Sequence, residues 1–308
     1  MFARLGVLLA ILLIGCAPAW AGAISEAFID SAAQSLAAAP AAESRIHVSM
    51  WVIAFYLFYL GVIWAFNFMM LRQLGRRDFD VNWSAKSVCF ANVLLASGDT
   101  AMFIAFLIAY LFPGSFSTTV DAAKLMQLLL LGVFSTSVTM SVYYLFIGIY
   151  MWKRFAGAVV NLLFSIVVSF FVLRLLVHYN PGNIWFSMSL PSGTPNYSAW
   201  LRNIPLFIYG LLSVSVIAYL SIVKYNDSEH IIVKKYNLAI ILAMISLVLS
   251  FIFYAVDVFY SHLIPREYIW IVYVLKTLAY MLALVCMWLG EFYYGRQIPL
   301  AKATMGEV

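Results

Sequence analysis

The stretch YNLAIILAMISLVLSFIFYAVDVFYSH, Tyr236–His262, carries one formally charged residue, Asp257. At a rise of ~1.5 Å per residue it reaches about 40 Å as a helix, enough to cross a ~30 Å hydrocarbon core. A helix on the surface of a soluble domain would turn a broad polar face to water. Here the polar residues form one narrow stripe, Ser246, Ser250, Tyr254, Asp257 and Ser261. Six comparable runs occupy His47–Leu71, Val88–Phe112, Lys124–Trp152, Gly157–Tyr179, Asn203–Val223 and Tyr268–Tyr294. The pattern predicts an all-α, seven-transmembrane-helix bundle over residues 47–294. The third run is long enough to require tilt or a projecting end.

Composition agrees. Hydrophobic residues make up 65% of the chain and charged residues 10%, against about 25% charged in a typical soluble domain. Too little polar surface exists to cover a water-soluble body of this length, so the expected solvent is a lipid bilayer. The net charge of +5 does not point to nucleic acid, because the basic residues lie in short loops and not on one face of a domain. Cys16, Cys89 and Cys286 have no metal-ligand spacing, and the last two fall within apolar helices as buried thiols.

Residues 1–21 predict a signal peptide. Arg4 supplies the basic start, Leu5–Gly15 the short apolar run, and Ala19-Trp20-Ala21 a small-x-small cleavage site. Leu13-Ile14-Gly15-Cys16 also fits a lipobox, and the two readings both leave the mature N-terminus outside. Residues 22–46 are Ala-rich and fit either an interfacial helix or a flexible periplasmic tail. Residues 295–308 form a cytoplasmic tail.

Loop charge orients the bundle. Arg72, Arg76, Arg77, Lys86, Lys153, Arg154, Lys224, Lys234, Lys235, Arg296 and Lys302 fall on one side; Arg45, Lys124, Arg202 and Arg266 fall on the other. Eleven against four places the N-terminus outside and the C-terminus in the cytoplasm, the direction that a signal peptide also requires. The expected location is a bacterial inner membrane.

Charged residues inside the runs are few, and each costs several kcal/mol unless paired or hydrated. Asp257 and Lys276 flank the short hairpin Leu263–Glu267 at similar depth, which predicts an ion pair between the sixth and seventh helices. Tyr254 shares the Asp257 stripe, while Tyr273, Lys276, Tyr280, Met287 and Glu291 share a face of the last helix. Facing polar stripes make either a hydrated pathway or interhelical glue. Cys89, Asn92, Ala96 and Asp99 turn a third stripe inward from the second helix. Asp99 there is either a proton-relay carboxyl or a neutral hydrogen-bonding partner. Arg174 lies close enough to Tyr179 to snorkel outward, and Glu291 close enough to the inner end to reach headgroups. Ser135, Thr136, Ser137, Thr139 and Ser141 on the third helix, and the Gly157, Asn161, Ser165, Ser169 row on the fourth, read as close-packing surfaces.

Several chemistries drop out. His47, His178 and His262 fall at outer helix ends and would bind a metal only by converging, with no paired spacing to bring them together. No phosphate-binding, nucleophile-elbow or dinucleotide motif is present, and the residues name no cofactor. Seven helices, an outside N-terminus, Lys276 in the last helix and an acid nearby resemble microbial rhodopsins, which would imply a retinal Schiff base on Lys276. The chain departs from that family at Val272, where an Asp is expected, and in the absence of its third-helix acids and sixth-helix Trp-Pro pocket. The expected function is non-enzymatic: moving or sensing an ion, proton or small ligand through a polar interior between helices 2, 6 and 7. The pathway would use Asp99, Tyr254, Asp257, Tyr273, Lys276 and Tyr280. The alternative is a structural subunit of an envelope machine for secretion, conjugation or polysaccharide export, associated with other envelope subunits or with itself.

Overall fold

The computed structural model describes residues 50–75, 83–111, 119–155, 157–178, 197–260, 263–264 and 266–298. The expected signal peptide, the Ala-rich segment, His47, His262, residues 179–196 and most of the C-terminal tail lie outside them. The described chain is helical throughout: α1 Met50–Leu74, α2 Trp83–Leu111, α3 Thr119–Arg154, α4 Ala158–His178, α5 Tyr197–Asp227, α6 Ile231–Tyr260 and α7 Arg266–Trp288. A π-helical turn, Leu289–Tyr294, extends α7 and closes with Gly295 N–H donating to Gly290 O at 2.8 Å.

All seven helices contain a segment long and apolar enough to cross a membrane. Their ends differ from the apolar runs in a consistent way. α2 starts at Trp83 and α5 runs from Tyr197 to Asp227, because helical hydrogen bonding continues through polar residues that hydropathy excludes. α3 spans 36 residues, about 54 Å along its axis, so the expected projecting length is present. α5 continues through Pro205. Proline has no N–H to give the carbonyl four residues back, and the neighbouring carbonyl, Arg202 O, accepts a bond from the Arg174 side chain on α4.

Sequential helices pack as neighbours. α1 lies on α2 and α7, α2 on α3, α3 on α4 and α5, α5 on α6, and α6 on α7, so the bundle closes with α4 seated against α3 and α5. The α2–α3 contact is the tightest. A Cβ added at Gly98 would overlap Thr139 Oγ1, and one added at Gly132 would lie 3.0 Å from Met102 Cα. Thr136 Oγ1 also donates to Gly98 O at 3.0 Å, so the hydroxyl row of α3 is the packing surface its composition predicts.

The matching expectation for α4 is overturned. Gly157, Asn161, Ser165 and Ser169 are all exposed; Val160, Val167, Phe171 and Arg174 form the buried face instead. Ser165 and Ser169 return their hydroxyls to the carbonyls of Asn161 and Ser165, at 3.0 and 2.9 Å. This self-bonding leaves them with no need of a partner helix, so small size and spacing did not decide the packed side.

Large apolar side chains cover the outside, among them Phe58, Phe68, Leu162, Leu176 and Ile252. Inside, tyrosine is prominent: Tyr56, Tyr59, Tyr143, Tyr144, Tyr150, Tyr209 and Tyr280 are buried. Each fills volume with its ring while carrying one hydroxyl that needs a partner.

Candidate functional site

The polar interior resolves into a central group of side chains with a further cluster toward each end of the bundle.

The central group joins α1, α2, α6 and α7. Lys276 Nζ donates to Asp257 Oδ2 at 3.0 Å, with side-chain exposures of 21% and 31%, so the ion pair expected across the α6–α7 hairpin forms and stays partly exposed. The ammonium also lies over the rings of Tyr273 and Tyr254, at 4.7 and 5.2 Å from their centroids, where ring quadrupoles attract a cation. Deeper in, Asp99 is buried and accepts a 2.5 Å bond from Tyr59 on α1. Tyr56, one helical turn from Tyr59, is hydrogen-bonded to Tyr273, their ring centroids 5.4 Å apart. Lys276 lies within electrostatic reach of Asp99. Tyr280 then donates to Asn92 Oδ1 at 2.9 Å, and Asn67 Nδ2 to Asn92 O at 3.3 Å. All six residues expected to form a pathway therefore line the interior. Asp99, Asp257, Tyr273, Lys276 and Tyr280 gather directly, and Tyr254 connects this group to the next.

Ser250 on the α6 stripe donates to Lys276 O at 3.2 Å, an interhelical tie, whereas Ser246 bonds Leu242 O of its own helix. Ser250 is thus glue and Ser246 self-capped packing, and among the described residues of the stripe Tyr254 and Asp257 carry it into the site, Ser261 lying outside the described residues.

The second cluster centres on Arg174. Its predicted outward reach is wrong: the side chain is fully buried. Nε donates to Ser141 Oγ at 2.6 Å, Nη1 to Arg202 O at 2.5 Å and Asn203 Oδ1 at 3.1 Å, and Nη2 to Ser137 Oγ at 3.2 Å. Tyr254 donates to the same Asn203 Oδ1 at 2.8 Å. Four neutral acceptors on α3 and α5 hold the guanidinium better than a snorkelled position could, because its rigid fork meets them all at once.

The third cluster lies at the opposite end, around Glu291 on the π-helical turn. Glu291 does not reach outward to headgroups; it is buried. Its Oε1 accepts from Tyr150 at 2.6 Å, Tyr236 at 2.8 Å and Arg154 at 3.3 Å, and Ser84 donates to Oε2 at 3.5 Å. Arg154 also bonds Tyr150 OH and donates to Asn237 Oδ1 at 2.7 Å. Three helices, α2, α3 and α6, thereby meet on one carboxylate at the end of α7.

Sequence reasoning missed the α1 contribution. A signal existed: Tyr56, Tyr59, Ile63, Asn67 and Met70 fall on one helical face, and all five are buried. It also missed the Arg154–Glu291 pair, whose members are 137 positions apart. Among the described residues, no three His, Cys, Asp or Glu side chains converge as a metal site; His47, His262 and the side chain of His178 lie outside what is described. Cys89 and Cys286 are free and buried, as their apolar settings predict. No protein-family model, curated protein or solved structure matches the chain.

Proposed function

We propose that this chain is a multi-pass protein of a bacterial inner membrane, N-terminal side outside, that moves or senses a proton or small ion through the interior shared by α1, α2, α6 and α7. The observation that carries the reading is the gradation of polar groups along one route. Asp257 and Lys276 form a partly exposed pair, the Tyr273–Tyr56 contact follows, and a buried Asp99 held by Tyr59 lies beyond. Hydroxyls can accept and donate in turn, so they can carry a proton between carboxyls in a way that aliphatic side chains cannot. The Glu291 cluster ties α2, α3 and α6 to the end of α7 on the far side of this group, which fits a route entered from the Asp257–Lys276 side. The apolar exterior fits lipid as its solvent, and the excess of basic residues around the Glu291 end fits a cytoplasmic side.

The test is ion flux. Purified protein is reconstituted in liposomes with an internal pH-sensitive dye, and an imposed proton gradient is followed with and without a membrane potential. Wild type is expected to dissipate or respond to the gradient, and an Asp257→Asn, Lys276→Met double variant to fall to the level of empty liposomes while still inserting. Equal responses from the two proteins would overturn the reading. Labelling of an introduced Lys302→Cys by a membrane-impermeant reagent only after cell lysis is expected from the orientation.

A further inference from the structure

Two tyrosine rings flank the Lys276 ammonium, Tyr273 at 4.7 Å and Tyr254 at 5.2 Å. Their hydroxyls are held in different ways. Tyr273 bonds another hydroxyl, that of Tyr56. Each partner there is both donor and acceptor, so the hydrogen between them can point either way. Tyr254 bonds a side-chain amide, donating to Asn203 Oδ1 at 2.8 Å. An amide accepts at one end and donates at the other, so its orientation decides whether the hydroxyl gives or receives.

Arg174 makes that decision. A guanidinium carries donors and no acceptor, and Arg174 Nη1 reaches the same Asn203 Oδ1 at 3.1 Å. Turning the amide over would set its Nδ2 against the guanidinium, donor to donor. The guanidinium is itself held in place, because Nε donates to Ser141 Oγ at 2.6 Å and Nη2 to Ser137 Oγ at 3.2 Å, both on α3. Arg174 is fully buried, where losing a charge-assisted bond is costly. The amide oxygen is therefore fixed toward Tyr254, and the single hydroxyl hydrogen of Tyr254 is fixed toward the amide.

We propose that Arg174 and Asn203 are positioning residues that keep Tyr254 as a donor to Asn203, so that it steadies the Lys276 ammonium with its ring while protons pass through Tyr273. The consequence for protons rests on the route proposed above; the placement of the hydrogen does not. A carrier gives up its own hydrogen on one side as it receives another on the opposite side. Tyr254 would have to give its hydrogen to Asn203, and a neutral amide oxygen shared with a cation does not pass a proton on, so that branch ends there. Tyr273 gives its hydrogen to Tyr56, one helical turn from Tyr59, and Tyr59 donates to Asp99 Oδ2 at 2.5 Å. Two tyrosines at similar distances from one ammonium thus take separate tasks, and Arg174 is what separates them.

The test reads hydrogen direction and flux separately in the full chain. With ring-labelled tyrosine, the infrared difference between wild type and Tyr254→Phe isolates the Tyr254 C–O stretch, whose frequency distinguishes a donating from an accepting hydroxyl. A donor signature is expected in wild type, kept in Asn203→Asp, where both side-chain oxygens accept, and lost in Asn203→Leu. Arg174→Met, which frees the amide to turn over, should convert it to an acceptor signature; Asn203→Leu answers the same question if Arg174→Met fails to insert. In liposomes Tyr273→Phe should cut proton flux about a hundredfold, the low end for a positioned proton carrier, and Tyr254→Phe about threefold at most. An acceptor signature in wild type, or equal losses in the two phenylalanine variants, would overturn the proposal. A wild type that moves no protons would sink the transport reading alone, and the infrared signature would then decide the placement of Tyr254.

Discussion

Removing the Glu291 carboxylate should destabilise the bundle by about 3 kcal/mol, near the lower end of the range for breaking one member of a buried ion pair. The size follows from what is left behind. Arg154 and Glu291 expose only 5% and 4% of their side chains, so water cannot take over the freed guanidinium. Arg154 keeps Asn237 Oδ1 and Tyr150 OH, which holds the cost at the low end. The Tyr150 and Tyr236 hydroxyls each lose their acceptor, a smaller contribution of about 0.6 kcal/mol apiece in membrane helices. The measurement is reversible unfolding of Glu291→Ala, Arg154→Ala and the double variant in mixed micelles of rising denaturing-detergent content, followed by tryptophan fluorescence. The double variant should recover a coupling free energy of about 2 kcal/mol, as expected for residues in direct contact. It should also be insensitive to added salt, since buried pairs are screened little. Strict additivity of the two single substitutions would refute the claim that this cluster holds α3, α6 and the end of α7 together.

Two further outcomes follow from packing. Gly98→Ala should lose about 1–3 kcal/mol, because its Cβ overlaps Thr139 Oγ1, and Thr139→Ala in the same chain should restore part of it; unfolding midpoints of the three variants check this. Ser165→Leu and Ser169→Leu should change stability by no more than about 0.5 kcal/mol, being exposed and self-bonded. Val167→Ala on the buried side of α4 should cost at least about 1 kcal/mol. The reverse order in the same unfolding assay would mean that α4 packs by its serine row.

Much of the architecture was legible because it depends on local properties. Apolarity summed over about 20 residues marks a helix able to cross a membrane, and such a helix closes its own backbone hydrogen bonds. The Asp257–Lys276 pair was legible for a related reason: a short hairpin fixes the relative depth of two adjacent helices. Asp99, with Asn92 one face-repeat away, stood out as polar residues in an apolar run.

The sequence by itself therefore determined the seven apolar helices of the described residues, their approximate ends and the Asp257–Lys276 ion pair between sequential neighbours. Tertiary structure alone decided which side of α4 faces inward, where Arg174 and Glu291 point, and which distant residues meet. Arg174 turned in because α3 and α5 together offer it four acceptors, and no single helix contains that set. Glu291 turned in because Ser84, Tyr150, Arg154 and Tyr236 converge from α2, α3 and α6. The α4 serines turned out because their own carbonyls satisfied them. When inside and outside are both apolar, the hydrophobic periodicity that orients a helix in a soluble protein fades, and what remains is the demand of each polar group for a partner, met only once the helices are assembled.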